Sequence, residues 1–254
     1  MNNDTLVGSV FDKYDVIFKG IADPRVAKWV GFGHPFGCLA VISTYLYLVR
    51  NYLPKYMQNR KPYNIQRLIQ AYDLFQVIAC SLLVYRVLSN GWSINYSLEL
   101  GTFSTTPKEL KTLDNVWYNA LLKFIDLLDT VFFILRKKDN QVTNLHLYHH
   151  CTTFFFGWST TQFVASGSTT FTILLNTLVH TVMYSYYFLS TLGPDVQKKI
   201  AIIKPKITVM QMKKIAIIKP KITVMQMVQF WLLAIHTITL MRYNKGIIFF
   251  CVTP

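Results

Sequence analysis

The chain has 254 residues, of which 52% are hydrophobic and 15% are charged, and its mean hydropathy is +0.30. An ordinary soluble domain carries about 25% charged residues, so this composition predicts a membrane protein. The formal charge is +14, but no basic-aromatic RNA motif or zinc spacing accompanies it, so we expect no nucleic-acid partner. The charge is better suited to anionic lipid headgroups or to an anionic cytosolic substrate. The four cysteines stand singly and are expected to be packing residues.

Six segments reach the length of about 20 mainly apolar residues that a membrane-spanning helix needs. They are residues 35–53, 68–88, 116–135, 148–165, 170–192 and 222–241. The predicted fold class is therefore all-α, a polytopic membrane protein with about six transmembrane helices. The 254 residues are predicted to form a single membrane-embedded domain.

The orientation of these spans follows from the basic residues in the short loops. Lysine and arginine cluster after the first span, after the third span and before the last, which predicts that these loops are cytosolic. The N-terminal segment and the loop near Asn95 are then lumenal, and each holds a glycosylation sequon, at Asn3 and Asn95. Residues 1–20 lack the features of a cleaved signal peptide. We expect the first span to act as the targeting signal.

One segment, residues 198–212, is repeated without change as residues 213–227. Structural repeats usually diverge and occur in several copies, so this single copy is typical of a recent duplication or of an assembly or splicing error. We expect the first copy to be a surplus cytosolic or membrane-surface segment.

Ionisable side chains recur within the third predicted span, where they are costly unless they are paired or functional. Lys123, Asp126, Asp129 and Thr130 follow one another at short helical steps. They are expected to share one helix face and to form a ladder of ion pairs. The alternative is a neutralised Lys–Asp pair that only lets a polar helix pack in a bundle.

The start of the fourth span carries three histidines, His146, His149 and His150. Their spacing of i, i+3 and i+4 lets all three face one cavity. A lone histidine at this depth would be interfacial, whereas three beside a carboxylate-bearing helix indicate a catalytic or metal-binding site.

The fifth and sixth spans add two polar stripes. The stripes consist of Asn176, His180, Tyr184 and Tyr187 on the fifth span, and Gln226 and Gln229 on the sixth. Aromatic stripes are often packing or interfacial, and glutamines can simply bridge helices. At a rise of about 1.5 Å per residue, however, the polar groups of four spans fall at one depth in the cytosolic half. We therefore predict one site.

Two chemistries suit a histidine cluster in a membrane bundle. A di-iron desaturase or hydroxylase needs on the order of eight nitrogen or oxygen ligands. The chain has six histidines, and two of them, His34 and His236, lie far from the cluster in sequence, so no metal is predicted. The second chemistry is nucleophilic: an imidazole is acylated, a carboxylate orients it and a donor stabilises the oxyanion. His149, with Asp129 as orienter and His180 opposite, would supply these parts.

Four runs in this order resemble the ELO family of very-long-chain fatty acid elongases. The runs are Lys-x-x-Asp-x-x-Asp-Thr, His-x-x-His-His, Asn-x-x-x-His-x-x-Met-Tyr-x-Tyr-Tyr and Thr-x-x-Gln-x-x-Gln, beginning at Lys123, His146, Asn176 and Thr223. Shorter segments that begin at Asp23, Asn59 and Phe132 are also similar to the family. The resemblance covers residues 23–241.

The resemblance implies a multi-pass endoplasmic-reticulum 3-oxoacyl-CoA synthase. It would condense a long-chain acyl-CoA with malonyl-CoA and release CoA and carbon dioxide, without a cofactor. The family fold has seven spanning helices, six of which enclose an acyl tunnel closed at the lumenal end. The partners implied are the two CoA substrates, membrane lipid and the other enzymes of the elongation cycle, and the resemblance also allows a homodimer.

By the same resemblance His149 would carry the acyl group, while basic cytosolic residues would meet the CoA phosphates. We expect catalytic roles for His146, His149, His150, His180, Asp126 and Asp129. We expect substrate binding by Lys123, Asn176, Tyr184, Tyr187, Gln226 and Gln229.

Three departures from the family pattern leave alternatives open. Asp126 stands where the family more often has glutamate, the duplication lengthens the last cytosolic loop, and the chain ends at Pro254, where the family continues into a seventh helix. An inactive, truncated elongase is therefore one alternative. A multi-span lipid-binding receptor or transporter is another.

Overall fold

The computed structural model of the chain describes residues 22–26, 35–99, 104–193, 196 and 235–236. Regular structure in these ranges is helical and includes no strand, which confirms the predicted all-α class. The α-helices of the described part are α1 Pro35–Tyr47, α2 Leu53–Met57, α3 Gln66–Ser89, α4 Pro107–Ile125, α5 Leu128–Leu135, α6 Asn144–Phe163 and α7 Gly167–Thr191. The tandem repeat, nearly all of the sixth predicted span, Gln226 and Gln229 lie outside the described residues.

The first predicted span begins at the residue where α1 begins, but its far end is irregular. A π-helical turn, Leu48–Tyr52, joins α1 to α2. Pro54 at the start of α2 has no N–H to donate to the carbonyl one turn back, and its ring clashes with that carbonyl, so the chain widens there. The helical path therefore extends past the predicted end, as far as Met57.

The third predicted span is not one helix, so the prediction of a continuous helix over residues 116–135 was wrong. The chain forms α4 and α5 with a tight turn at Asp126 and Leu127, whose φ and ψ are −57° and −22°, and −61° and −24°. These angles are close to those of a 3₁₀ turn, which is narrower than an α-turn. The turn places Asp126 at a helix end and Asp129 in the first turn of α5.

The fourth predicted span starts earlier than expected. Thr143 caps α6, its side-chain oxygen accepting a hydrogen bond from the backbone N–H of His146 at 3.1 Å. The three histidines consequently lie in the first two turns of α6, within regular helix. Helices α3 and α7 agree closely with the second and fifth predicted spans.

By length and composition, α3, with 24 residues, is the one helix in the described part of the chain that could cross a membrane. The number of spans and the orientation in the membrane stay predictions.

Helix α3 packs along α7, and α4 packs along α6. The connecting loops collect at two opposite ends of this bundle. At one end the Tyr63 N–H donates to the Leu135 carbonyl at 3.0 Å, and at the other the Ser168 N–H donates to the Glu99 carbonyl at 3.1 Å. The loops after the first and third predicted spans, both predicted to be cytosolic, thus lie together.

Gly167, the first residue of α7, lies against the backbone of Tyr96. A Cβ at this position would overlap the Tyr96 carbonyl oxygen. We expect Gly167→Ala to lower the free energy of unfolding by about 1–3 kcal/mol, because backbone atoms cannot move aside as a flexible side chain can. Thermal unfolding in detergent micelles measures this. The control is Thr172→Ala at an exposed site on the same helix, and equal melting temperatures for the two variants would contradict the prediction.

Candidate active site

A buried ion pair forms the centre of the site. The Lys123 Nζ donates to Asp126 Oδ2 at 3.0 Å, and the two side chains are only 7% and 4% exposed. Both charged groups are buried away from water, so each is stabilised by the opposite charge of the other. The predicted pairing of Lys123 with Asp126 is confirmed.

His180 on α7 lies against both members of this pair. Its Nε2 is 3.3 Å from Lys123 Nζ, and its Nδ1 is 3.6 Å from Asp126 Oδ2. A protonated lysine can only donate, so Nε2 accepts and the imidazole hydrogen is assigned to Nδ1, on the side of the carboxylate. The carboxylate–imidazole contact expected between His149 and Asp129 is found instead between His180 and Asp126, at an ion-pair distance that is too long for a hydrogen bond.

Asp129 has a different kind of partner from Asp126. The Tyr184 hydroxyl is 2.8 Å from Asp129 Oδ2 and 3.2 Å from Asp126 Oδ1. One hydroxyl carries one hydrogen, so Tyr184 links the two carboxylates by donating to one of them at a time. The expected ladder of ion pairs therefore stops at Asp126, and the ladder prediction was wrong for Asp129.

The histidines at the start of α6 form a cluster of rings that contacts α1 and α5. His146 Nε2 is 2.9 Å from Thr130 Oγ1, which is 2.6 Å from the Tyr45 hydroxyl. The rings of His146 and His150 are 4.2 Å apart between centroids, and His149 meets His150 edge-on at 5.8 Å. His146 is held by a hydroxyl relay, whereas the His150 Nδ1 is buried with no hydrogen-bond partner in the described structure.

His149 lies on α6 in the neighbourhood of the ion pair. Its ring is partly exposed, and it lies close enough to Lys123 and Asp126 to interact electrostatically with both. The described parts of the predicted site, on α4, α5, α6 and α7, therefore meet at one place. The proximity of these residues is established, and their catalytic roles stay predictions.

Asn176 lies one turn before His180 on α7. Its side-chain Oδ1 is buried and has no hydrogen-bond partner within the described ranges. A buried acceptor without a partner is costly, so such an atom indicates a place where a ligand or water binds. Tyr187 is 37% exposed, with its ring 6.1 Å from that of Tyr184.

Sequence analysis missed the contribution of α3. Gln76 donates through Nε2 to Asp126 Oδ1 at 2.7 Å and to the Tyr72 hydroxyl at 3.0 Å. The signal was present, because Tyr72, Asp73 and Gln76 are polar residues at helical spacing within an apolar span. Lys123 and Asp126 were identified as polar residues at helical spacing within an apolar span, and the same criterion would have identified Tyr72, Asp73 and Gln76.

His236, the histidine expected to lie apart from the cluster, is at a different place in the bundle. Its Nε2 is 3.0 Å from the Ser97 carbonyl, and its ring stacks on Phe171 at 4.4 Å. Within the described residues, no three His, Cys, Asp or Glu side chains are placed to hold a metal ion.

The fold and site define an all-helical protein in which histidine, lysine and carboxylate side chains meet in one buried cluster. Residues 31–247 match the model of the ELO family, described as the GNS1/SUR4 family. The chain belongs to this family, as the motifs predicted.

Three relatives show the extent of the similarity. The chain is 38% identical to very long chain fatty acid elongase 7 of Rattus norvegicus over 179 residues, covering 70% of this chain and 64% of the relative. It is 34% identical to very long chain fatty acid elongase 7 of Drosophila melanogaster over 236 residues, covering 92% and 67%. It is 36% identical to very long chain fatty acid elongase 1 of Homo sapiens over 192 residues, covering 74% and 68%. The matched part is about two thirds of the length of each relative.

Proposed function

We propose that this chain is a condensing enzyme of fatty acid elongation, a 3-oxoacyl-CoA synthase. It would join a long-chain acyl-CoA to malonyl-CoA through an acyl group carried on a histidine. The observation that supports this proposal is the meeting of two kinds of imidazole in one buried cluster. His149 has a partly exposed ring within electrostatic range of the Lys123–Asp126 pair, and the His180 Nε2 accepts a hydrogen bond from Lys123 of that pair.

In the first step an imidazole nitrogen of His149 attacks the thioester carbonyl of the acyl-CoA. The carbon–sulfur bond breaks, the CoA thiolate leaves and takes up the imidazole proton, and an acyl-imidazole remains. His149 suits this role better than His146, whose Nε2 is occupied by the Thr130 hydroxyl.

In the second step malonyl-CoA loses carbon dioxide, and the electron pair of the broken bond forms an enolate. The enolate carbon attacks the acyl-imidazole carbonyl, the carbon–nitrogen bond breaks, and the departing imidazolate takes up a proton from water to restore neutral His149 as 3-oxoacyl-CoA is released. Among the described residues, two of the three N–H donors of Lys123 are directed to Asp126 and His180, and the third would be donated to a substrate oxygen. The Asn176 amide, one turn from His180, supplies a further donor.

The proposal extends to location and partners. The enzyme would span the endoplasmic-reticulum membrane several times with a lumenal N-terminus and require no cofactor. Its basic cytosolic loops would meet the CoA phosphates. Membrane lipid, the other enzymes of the elongation cycle and a second copy of the chain are the proposed partners.

The decisive experiment separates acylation from condensation. Membranes containing the full chain are given long-chain acyl-CoA alone, and the mass of the intact protein is measured. Radiolabelled malonyl-CoA is then added, and labelled 3-oxoacyl products are counted. We expect an acyl adduct and labelled product from the unaltered chain, and neither from His149→Ala.

The matched control is Cys151→Ala. Cys151 lies two residues further along α6, where it packs against an apolar cluster and has a small side chain that alanine replaces with little change, so both signals are expected to persist. Absence of adduct and product from the unaltered chain contradicts the proposal. An adduct that survives in His149→Ala contradicts the assignment of His149 as the nucleophile.

A further inference from the structure

Gln76 is a fully buried glutamine on α3, a helix that carries none of the catalytic motifs. Its side chain is 0% exposed. Its amide nitrogen has two hydrogens, and both are used: one is donated to Asp126 Oδ1 at 2.7 Å and the other to the Tyr72 hydroxyl at 3.0 Å. Both hydrogens of the Gln76 side-chain NH₂ group are therefore engaged in hydrogen bonds.

The network settles which way the Gln76 amide faces. The Asp126 carboxylate can only accept hydrogen bonds, so the amide nitrogen, and not the oxygen, must lie against it. The Gln76 Oε1 then has no hydrogen-bond partner among the described residues. A buried oxygen without a partner is unfavourable, and the two hydrogen bonds from the amide nitrogen offset this cost.

The two carboxylate oxygens of Asp126 have different partners. Gln76 and the Tyr184 hydroxyl lie against Oδ1, whereas Lys123 and the His180 Nδ1 lie against Oδ2. A carboxylate that is bound on one oxygen cannot rotate freely about its Cβ–Cγ bond. The other oxygen is then held towards the imidazole.

We infer that Gln76 is a positioning residue: it holds the Asp126 carboxylate so that Oδ2 keeps His180 and Lys123 in their reactive orientation. This inference rests on the proposed function, since the orientation matters only if His180 takes part in the reaction. The positioning role also depends on the Gln76 amide being uncharged. The amide contacts Asp126 and Tyr72, and the titratable groups joined to these two by contacts among the described residues, from α4, α5 and α7, are Lys123, Asp129, His180 and Tyr184.

Two variants separate a positioning role from a packing role. Gln76→Leu fills the space but donates nothing, and we expect kcat to fall about 10- to 100-fold with little change in KM, because a misplaced reacting group affects the transition state more than binding. Gln76→Glu keeps the shape. Its carboxylic acid can donate one hydrogen to Asp126, whereas its carboxylate repels Asp126.

The activity of Gln76→Glu should therefore rise relative to the unaltered chain as the pH is lowered, and fall as the pH is raised. The matched control is another glutamine of α3, Gln70, whose Nε2 donates to the Thr191 carbonyl at 2.9 Å, away from the ion pair. Gln70→Leu and Gln70→Glu are expected to keep the kinetics and the pH profile of the unaltered chain. A Gln76→Glu profile parallel to that of the unaltered chain overturns the inference.

An infrared measurement tests the same contact without turnover. The chain is labelled with carboxyl-¹³C aspartate, and the Asp126 band is identified as the band that disappears in Asp126→Asn. Gln76→Leu is expected to shift that band and Gln70→Leu to leave it in place. An Asp126 band that does not move in Gln76→Leu overturns the inference, whether or not the chain turns over. A shifted band in a chain that shows neither adduct nor product supports the contact and contradicts the proposed function alone.

Discussion

Replacement of Lys123 by methionine is expected to lower the free energy of unfolding by about 3–5 kcal/mol, because it leaves a buried carboxylate without its cation. Asp126 is 3% exposed, and Asp129 is linked to it through the Tyr184 hydroxyl. Removal of Lys123, the lysine that faces Asp126 in the described part of the chain, therefore affects both acids. Since the same lysine directs one N–H towards His180, condensation should be lost as well.

The double variant Lys123→Met/Asp126→Asn separates these two effects. Neutralising both partners removes the uncompensated charge, so most of the stability should return while condensation stays absent. Unfolding is measured in mixed micelles by titration with denaturing detergent. Lys111→Met, at an exposed position of α4, is the control and should resemble the unaltered chain. Equal stability of the single and double variants would show that the ion pair does not hold these helices together.

Replacement of Arg25 by alanine is expected to cost a similar amount, about 3–5 kcal/mol, at the opposite end of the bundle. The Arg25 guanidinium binds Asp23 through two nitrogens, at 2.9 Å from Nε to Oδ1 and 2.6 Å from Nη2 to Oδ2. It also donates to the Ser104 carbonyl at 2.7 Å and to the Ala165 carbonyl at 3.1 Å. One side chain thus joins the segment 22–26 to two loops that are distant in sequence.

The planar fork of the arginine is the part that lysine cannot reproduce. Arg25→Lys keeps the charge but loses the second hydrogen bond to Asp23 and the bonds to the loops, so its stability should lie between those of the unaltered chain and Arg25→Ala. The double variant Asp23→Asn/Arg25→Met removes both charges and should be more stable than Arg25→Ala. A melting temperature of Arg25→Lys equal to that of the unaltered chain would contradict the role of the fork.

The all-α class and the second and fifth helices were predictable because they depend on local information. A long apolar run without strong breakers forms a helix wherever its backbone cannot bond to water, and the limits of α3 and α7 follow from that rule. The break between α4 and α5 was not predictable in the same way. Residues 116–135 contain no glycine or proline, and the turn at Asp126 and Leu127 is where Asp126 meets Gln76 and Tyr184 from other helices.

The candidate site, too, was predictable from local information only in part. Spacing along the chain was sufficient to pair Lys123 with Asp126 and, separately, to group the three histidines, because residues three or four apart share a helix face. It could not pair residues on different helices, since the pairing depends on how each helix is rotated and how deep it sits. Sequence reasoning therefore gave His149 the carboxylate, whereas the fold sets His180 beside one.

The sequence by itself determined that the described part of the chain is helical, that the chain belongs to the ELO family and that polar residues of several helices lie together. Those properties depend on composition and on short-range spacing, which have the same effect in any helix. Only the tertiary structure decided which atoms face one another: His180 between Lys123 and Asp126, Tyr184 between two carboxylates, and Gln76 behind Asp126. The physical reason is that a buried charged group needs a partner within about 3 Å. At that distance the packing of the four helices, and not the order of residues in the chain, determines which side chains are its neighbours.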